Sequence, residues 1–132
     1  MEHSKILPEW PNALRWFLWQ GLHSFTPWHF VNEPQECEFA ANAFHREDVH
    51  GREVFVFARR QDRDDFAGLV IQDGIFTDTV LYFHPVFSTG NLPSVRTWNI
   101  VYDSYENVFD FVVQRVVPDM KEWAEEEDAR DL

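Results

Sequence analysis

Two apolar runs in the middle of the chain enclose its most charged segment. Val54, Val56 and Ala58 alternate with Phe55 and Phe57 before it, and Ala67, Leu69 and Ile71 alternate with Gly68 and Val70 after it. Each run has the two-residue period of a strand. The residues between them, Arg59-Arg60-Gln61-Asp62-Arg63-Asp64-Asp65, are too charged for a core and so predict the turn of a β-hairpin.

Helical periodicity brackets this β segment. Pro11 opens a stretch in which Leu14, Phe17, Leu18, Leu22 and Phe25 recur at three- to four-residue spacing, predicting a helix that ends between Gly21 and Ser24. Trp16 and Trp19 fall off that stripe. Pro27 interrupts any helix, so residues 26–31 read as a connector or short edge strand. A second helix is predicted from Pro34, capped by Asn32 or Glu33, with Cys37, Ala40, Ala41 and Phe44 on one face and a polar turn over 45–51.

After the hairpin, Asp73-Gly74 is a strong two-residue turn signal and Thr77-Asp78-Thr79 competes with it, so the pattern leaves two registers open before Val80-Leu81-Tyr82-Phe83. Residues 85–95 read as a loop and 97–101 as a short strand. Asp103 or Ser104 is expected to cap a last helix that buries Tyr105, Val108, Phe109, Val112 and Val116, with Pro118 kinking or stopping it. The expected class is α+β: a mainly antiparallel sheet flanked by N-terminal and C-terminal helices. One domain covers residues 1–118, and residues 119–132 form an acidic helix or tail anchored, if at all, by Met120 and Trp123.

Composition narrows the function classes. At 132 residues, one domain of this size buries about two-thirds of the surface its unfolded chain exposes. A single cysteine, Cys37, allows no intramolecular disulfide, and the opening residues do not read as a secretory leader, so a reducing cytoplasm is the expected setting. No run approaches the ~20 apolar residues of a membrane span. The net charge of −12 argues against nucleic acid as a partner and suits either solubility or attraction of a basic protein. Most of the thirteen Phe and six Trp are expected in the core, but Trp10, Trp16, Trp19 and Trp28 crowd the amino end, where not all can face one interior; shared burial is the first reading, and Trp16, Trp19 and Trp28 are the candidates for aromatic contacts with a partner.

Asp62, Asp64 and Asp65, joined by His84 from a later strand, form an oxygen-rich set that a metal-dependent hydrolase could use. Interleaved Arg59, Arg60 and Arg63 would repel a cation and pair with the carboxylates, so the same residues read as a charge-laced turn. Six histidines offer no helical ligand pair and no HExxH, and no nucleophile motif surrounds any serine. No metal, no other cofactor and no catalytic residue is called for. Cys37, on an apolar helix face, reads as a buried thiol.

The turn Arg60-Gln61-Asp62-Arg63-Asp64-Asp65, within Phe57-Ala58-Arg59-Arg60 and Phe66-Ala67-Gly68, resembles the RQDNDD segment of the SUKH superfamily. Two further places are similar to that family: Pro27-Trp28-His29-Phe30 after the first helix, and His84 before Phe87, Ser88 and Gly90, followed by Tyr102-Asp103-Ser104-Tyr105. The chain departs from it at Gly68-Leu69, where family members carry Cys-Phe, and at Asn91-Leu92, where a Trp follows the loop glycine. The resemblance implies an α+β fold that binds rather than catalyses. Bacterial members include immunity proteins that sequester toxins, and a fungal cell-wall regulator is related to them.

The resulting expectation is a bacterial, cytoplasmic, non-enzymatic immunity protein that occludes a toxin, with a basic toxin domain as the candidate partner. Arg60, Gln61, Asp62, Asp64, Asp65 and His84 would face the partner or brace the turn. The alternatives are the metal-dependent hydrolase above and a regulatory scaffolding module. The sequence does not define the oligomeric state.

Overall fold

The structure, a computed structural model, describes residues 3–87, 96 and 98–132. Six strands form one antiparallel sheet in chain order: β1 (Ser24–Phe25), β2 (Trp28–Phe30), β3 (Glu53–Arg60), β4 (Phe66–Gln72), β5 (Ile75–Phe83) and β6 (Val101–Tyr105). The expected α+β class and antiparallel sheet are both present.

Helices cover the two sheet faces. Along β5, Val80 and Tyr82 point to one face and Leu81 and Phe83 to the other. The first face is packed by Leu14 and Leu18 of α1 (Asn12–Trp19) together with Val108, Phe111 and Val116 of the carboxyl helix. The second is packed by Cys37, Ala40 and Phe44 of α2 (Pro34–Glu47). Thus the N-terminal and C-terminal helices share one face, and the middle helix closes the other. With both faces covered, the central strands carry apolar residues at successive positions, as the run from Phe66 to Leu69 shows by being buried throughout.

The helix α1 stops at Trp19, earlier than its apolar spacing predicts. Gly21 takes φ +77°, its N–H bonds Leu18 O at 3.1 Å, and the Leu22 N–H bonds Phe17 O at 2.9 Å. This left-handed cap satisfies the last carbonyls and turns the chain out, leaving Leu22 exposed and placing Phe25 in β1. Residues 26–31 accordingly do not end the sheet: β2 lies between β1 and β3.

Pro34 opens α2 as expected, although Glu33 reaches the cap position in a left-handed conformation without a side-chain capping bond. The helix runs through Glu47, taking in residues 45–47 of the predicted turn. Asp73 (φ 53°) and Gly74 (φ 78°) join β4 to β5 with both central residues left-handed, a type I′ arrangement that sets the register at Gln72 opposite Ile75. Thr77-Asp78-Thr79, the competing turn, lies inside β5.

The carboxyl third differs most from expectation. Asp103 and Ser104 lie in β6, and the helix starts later, where Asn107 Oδ1 accepts the Asp110 N–H at 2.9 Å. A strand was expected over 97–101, but β6 begins at Val101; Thr97 and residues 88–95 of the expected loop lie outside the described residues. Tyr105 is buried from the strand, while Phe109 is exposed. From Val108 the chain passes through α3 (Val108–Phe111), a wider π-turn over Val112–Val116 and α4 (Val117–Ala124). Pro118 falls in the first turn of α4, where its missing N–H costs least, so the helix continues past it.

Gly68 answers a close approach of strands. A Cβ there would lie 2.9 Å from Val54 Cβ and 3.2 Å from Phe55 O. The neighbouring strand leaves no room for a side chain.

Candidate functional site

The charged turn forms where sequence pattern places it, between β3 and β4, and its first link closes it: the Arg60 N–H donates to Asp65 O at 3.0 Å. Gln61 N–H reaches Pro27 O at 2.9 Å, which docks the turn on the connection into β2. His29 Nε2 lies 2.5 Å from Gln61 Oε1 on the same side.

Two buried groups organise the rest. Arg60, only 4% exposed, donates Nε to Asp62 Oδ1 at 2.9 Å and Nη2 to Asp62 Oδ2 at 3.1 Å, a two-pronged pairing. Its Nη1 donates to Asp119 Oδ2 at 3.1 Å, and the same oxygen accepts the Trp28 indole N–H at 2.9 Å. Asp65, also buried, accepts from the Tyr82 hydroxyl, lies 2.8 Å from His84 Nδ1, and has Arg63 Nε at 3.5 Å. Burial first, and then the bond to the Asp65 carboxylate, push the Tyr82 phenol well above its ordinary value, so it remains a donor.

Arg115 ties the two halves together. Its guanidinium carbon sits 4.7 Å from the Tyr82 ring centre, its Nε donates to the Tyr105 hydroxyl at 3.2 Å, and its Nη1 approaches Asp119 Oδ1 at 3.9 Å. Tyr102 stacks on His84 with ring centres 6.2 Å apart and planes 4° from parallel. The assembly joins β2, the end of β3, the hairpin turn, β5, β6 and the last helix. Its outer margin is formed by Arg63, His84, Tyr102 and Asp103.

The expected cluster of Asp62, Asp64, Asp65 and His84 does not converge. Asp65 and His84 meet, but Asp62 is held by Arg60, and Asp64 is exposed on the side where Glu36, Arg59 and Phe39 line a shallow groove. Among the described residues, no group of three or more His, Cys, Asp or Glu side chains is placed to hold a metal ion. Asp62 is paired with Arg60 and Asp65 with Tyr82, His84 and Arg63, so these two carboxylates brace the turn.

The tryptophans divide sharply. Trp28, expected as a contact residue, is fully buried against Tyr82 and Phe111, because Asp119 gives its indole N–H a partner inside the core. Trp16 and Trp19 are 55% and 57% exposed on the outward side of α1, opposite Leu14 and Leu18. His3 stacks on Trp19 at 3.8 Å and leaves the remainder of that ring open. Trp98 is also exposed, a feature the sequence pattern did not single out. On the last helix, Phe109, Val113 and Val117 are exposed at four-residue intervals, and Phe109 lies 4.9 Å from Phe17 of α1.

Tyr82, Arg115 and Asp119 were missed by sequence reasoning. The four-residue spacing of Arg115 and Asp119 was the one available signal. Cys37 is buried, and burial pushes its thiol up to about 11, which leaves it unreactive at neutral pH. Among the described residues, no helix is long and apolar enough to cross a membrane. No protein-family model, no curated protein and no solved structure matches the chain.

Proposed function

We propose that this chain is a non-enzymatic, cytoplasmic protein-binding module of the toxin-immunity kind, which acts by covering the working surface of a basic partner protein. The observation that carries the reading is the outward face of α1, where Trp16 and Trp19 stand exposed on a folded helix. Tryptophan is the side chain most enriched at the energetic centres of protein interfaces. An acidic chain, at a net charge of −12, attracts a basic partner and speeds the encounter. The turn supports the same reading, since Asp62 and Asp65 are engaged by Arg60, Arg63 and Tyr82 and offer a rigid margin without a reactive group.

The test uses the protein encoded beside this chain's gene, mixed with the full chain. A stoichiometric complex is expected, with an association rate that falls steeply as salt shortens the Debye length from ~10 Å to ~3 Å. A double Trp16→Ala, Trp19→Ala variant should fold normally and dissociate at least about tenfold faster, since loss of two central aromatic contacts exceeds ~1.4 kcal/mol. Absence of a complex, or a complex unchanged in the double variant, would overturn the proposal.

A further inference from the structure

The carboxyl helix turns a second apolar surface outward. Phe109, Val113 and Val117 are exposed at 47%, 67% and 42% and follow one another at four-residue steps. In a uniform α-helix that spacing drifts around the axis, because each turn takes 3.6 residues. The wider π-turn over Val112–Val116 offsets the drift and keeps the three side chains close to one line. The inward side of the same helix is already filled by Val108, Phe111 and Val116.

Charge is arranged evenly about the centre of that stripe. Glu106 precedes Val113 by seven residues and Lys121 follows it by eight; both are exposed, and neither forms an ion pair among the described residues. At the helical rise of 1.5 Å per residue they stand roughly 10 to 12 Å on either side of Val113. Gln114, also exposed, lies at the centre, and a carboxamide can pair with its own copy, donating through nitrogen and accepting through oxygen.

A two-fold axis through Val113 that sets two such helices antiparallel brings Phe109 of each copy against Val117 of the other, and Glu106 against Lys121. It also carries the acidic runs at 125–128 to opposite ends, where a parallel pairing would set them side by side. A basic partner would leave Lys121 opposed by like charge, whereas a second copy satisfies both signs. We propose that a second copy of the chain covers this face, in an isologous dimer whose two carboxyl helices pair antiparallel about Val113 and are fixed in register by reciprocal Glu106–Lys121 ion pairs. The net charge of −12 on each copy opposes the association, but physiological salt screens exposed charges beyond ~8 Å. Three apolar side chains per copy make a small interface, so the dissociation constant falls between ~1 µM and ~1 mM.

Sedimentation equilibrium of the full chain across that range, at physiological salt, tests this. The apparent mass should rise from one chain to two as concentration increases. Val113→Lys, a change at an exposed position that leaves the fold in place, should stay monomeric throughout, even though it lowers the net charge that opposes pairing. Glu106→Lys and Lys121→Glu should each dimerise about tenfold more weakly, and an equimolar mixture of the two should recover the natural affinity to within about threefold, because opposite charges then meet at both contacts. A natural chain that is monomeric at ~1 mM, or a dimer retained in Val113→Lys, would overturn the dimer. A mixture no tighter than either charge variant alone would overturn the antiparallel pairing. None of these readouts involves another protein, so their outcome is separate from that of the toxin-immunity reading.

Discussion

Arg60 at the end of β3 and Asp119 in α4 stand 59 positions apart in the chain and 3.1 Å apart in the fold. The pair holds the last helix to the mouth of the hairpin. Asp62 takes the other edge of the same guanidinium, and Trp28 shares the Asp119 oxygen, so neither buried charge is left uncompensated. A pair of this kind contributes little net stability over an apolar replacement, because desolvation offsets much of the attraction. Its geometric demand is strict, and that demand fixes where α4 sits on the sheet.

Removing one member should therefore be costly. Asp119→Ala leaves Arg60 short of an anion and the Trp28 indole N–H unpaired in the core, and should lower unfolding free energy by about 3 kcal/mol. Asp64→Ala, in the same acidic turn but exposed, should change it by less than about 0.5 kcal/mol. Urea unfolding of the two variants distinguishes a turn braced by Asp119 from one held by its acids collectively; similar losses would discard this ranking.

The hairpin was legible because Arg60 to Asp65 interrupt two apolar runs, a contrast that survives any tertiary context. Trp28 was misjudged for a tertiary reason. Its burial depends on Asp119, 91 positions later, and within the sequence that acid looks like one more member of a solvated run. The start of the last helix was misplaced because Asp103 and Ser104 are good capping residues in their own right. Pairing of Tyr82 with Asp103 in the sheet outweighed that local preference, and Asn107 became the cap. The two hairpin registers after β4 had equal local claims until Asp73 and Gly74 both took left-handed conformations.

Asp48, at the end of α2, gives the fold an acid-sensitive anchor. Burial alone would raise its carboxyl, but bonds from the Arg52 side chain at 2.9 and 3.0 Å and from the Arg52 N–H at 2.8 Å bring it below its ordinary 3.8. A carboxyl depressed by folding stabilises above its unfolded value, and that contribution fades as pH falls through the folded value. Asp48→Asn should consequently show its full stability deficit at pH 5 and above. The deficit should shrink as pH drops below about 4, near the reference range for an unfolded Asp. A deficit independent of pH between 2 and 7 would assign the anchor to shape alone.

Gly68 sits where β3 leaves no room for a side chain on β4. Substituting Gly68→Cys should destabilise by about 1–3 kcal/mol, since a Cβ 2.9 Å from Val54 Cβ forces β3 and β4 apart. Coupling it with Val54→Gly, which removes both the Cβ at 2.9 Å and the Cγ2 at 3.2 Å from that position, should recover part of the loss despite the cavity the second change creates on its own. Thermal unfolding of the single and double variants measures this. Purely additive losses would show that Val54 is not the obstacle.

The last eight residues lie beyond Trp123 and Ala124 and carry Glu125, Glu126, Glu127 and Asp128 in succession. All of residues 125–132 are exposed, and Leu132 is 75% exposed. Their contacts are slight: a short turn over Ala129–Asp131 is closed by Asp128, and Ala129 and Leu132 border a cavity shared with Phe25 and Trp123. An exposed segment with so little apolar burial contributes little to folding, and its adjacent acids repel one another. Deleting residues 125–132 should shift unfolding free energy by less than about 1 kcal/mol, while slowing association with a basic partner by removing charge from its approach. A larger stability loss in calorimetry would mean that the turn over Ala129–Asp131 docks on β1 as part of the domain.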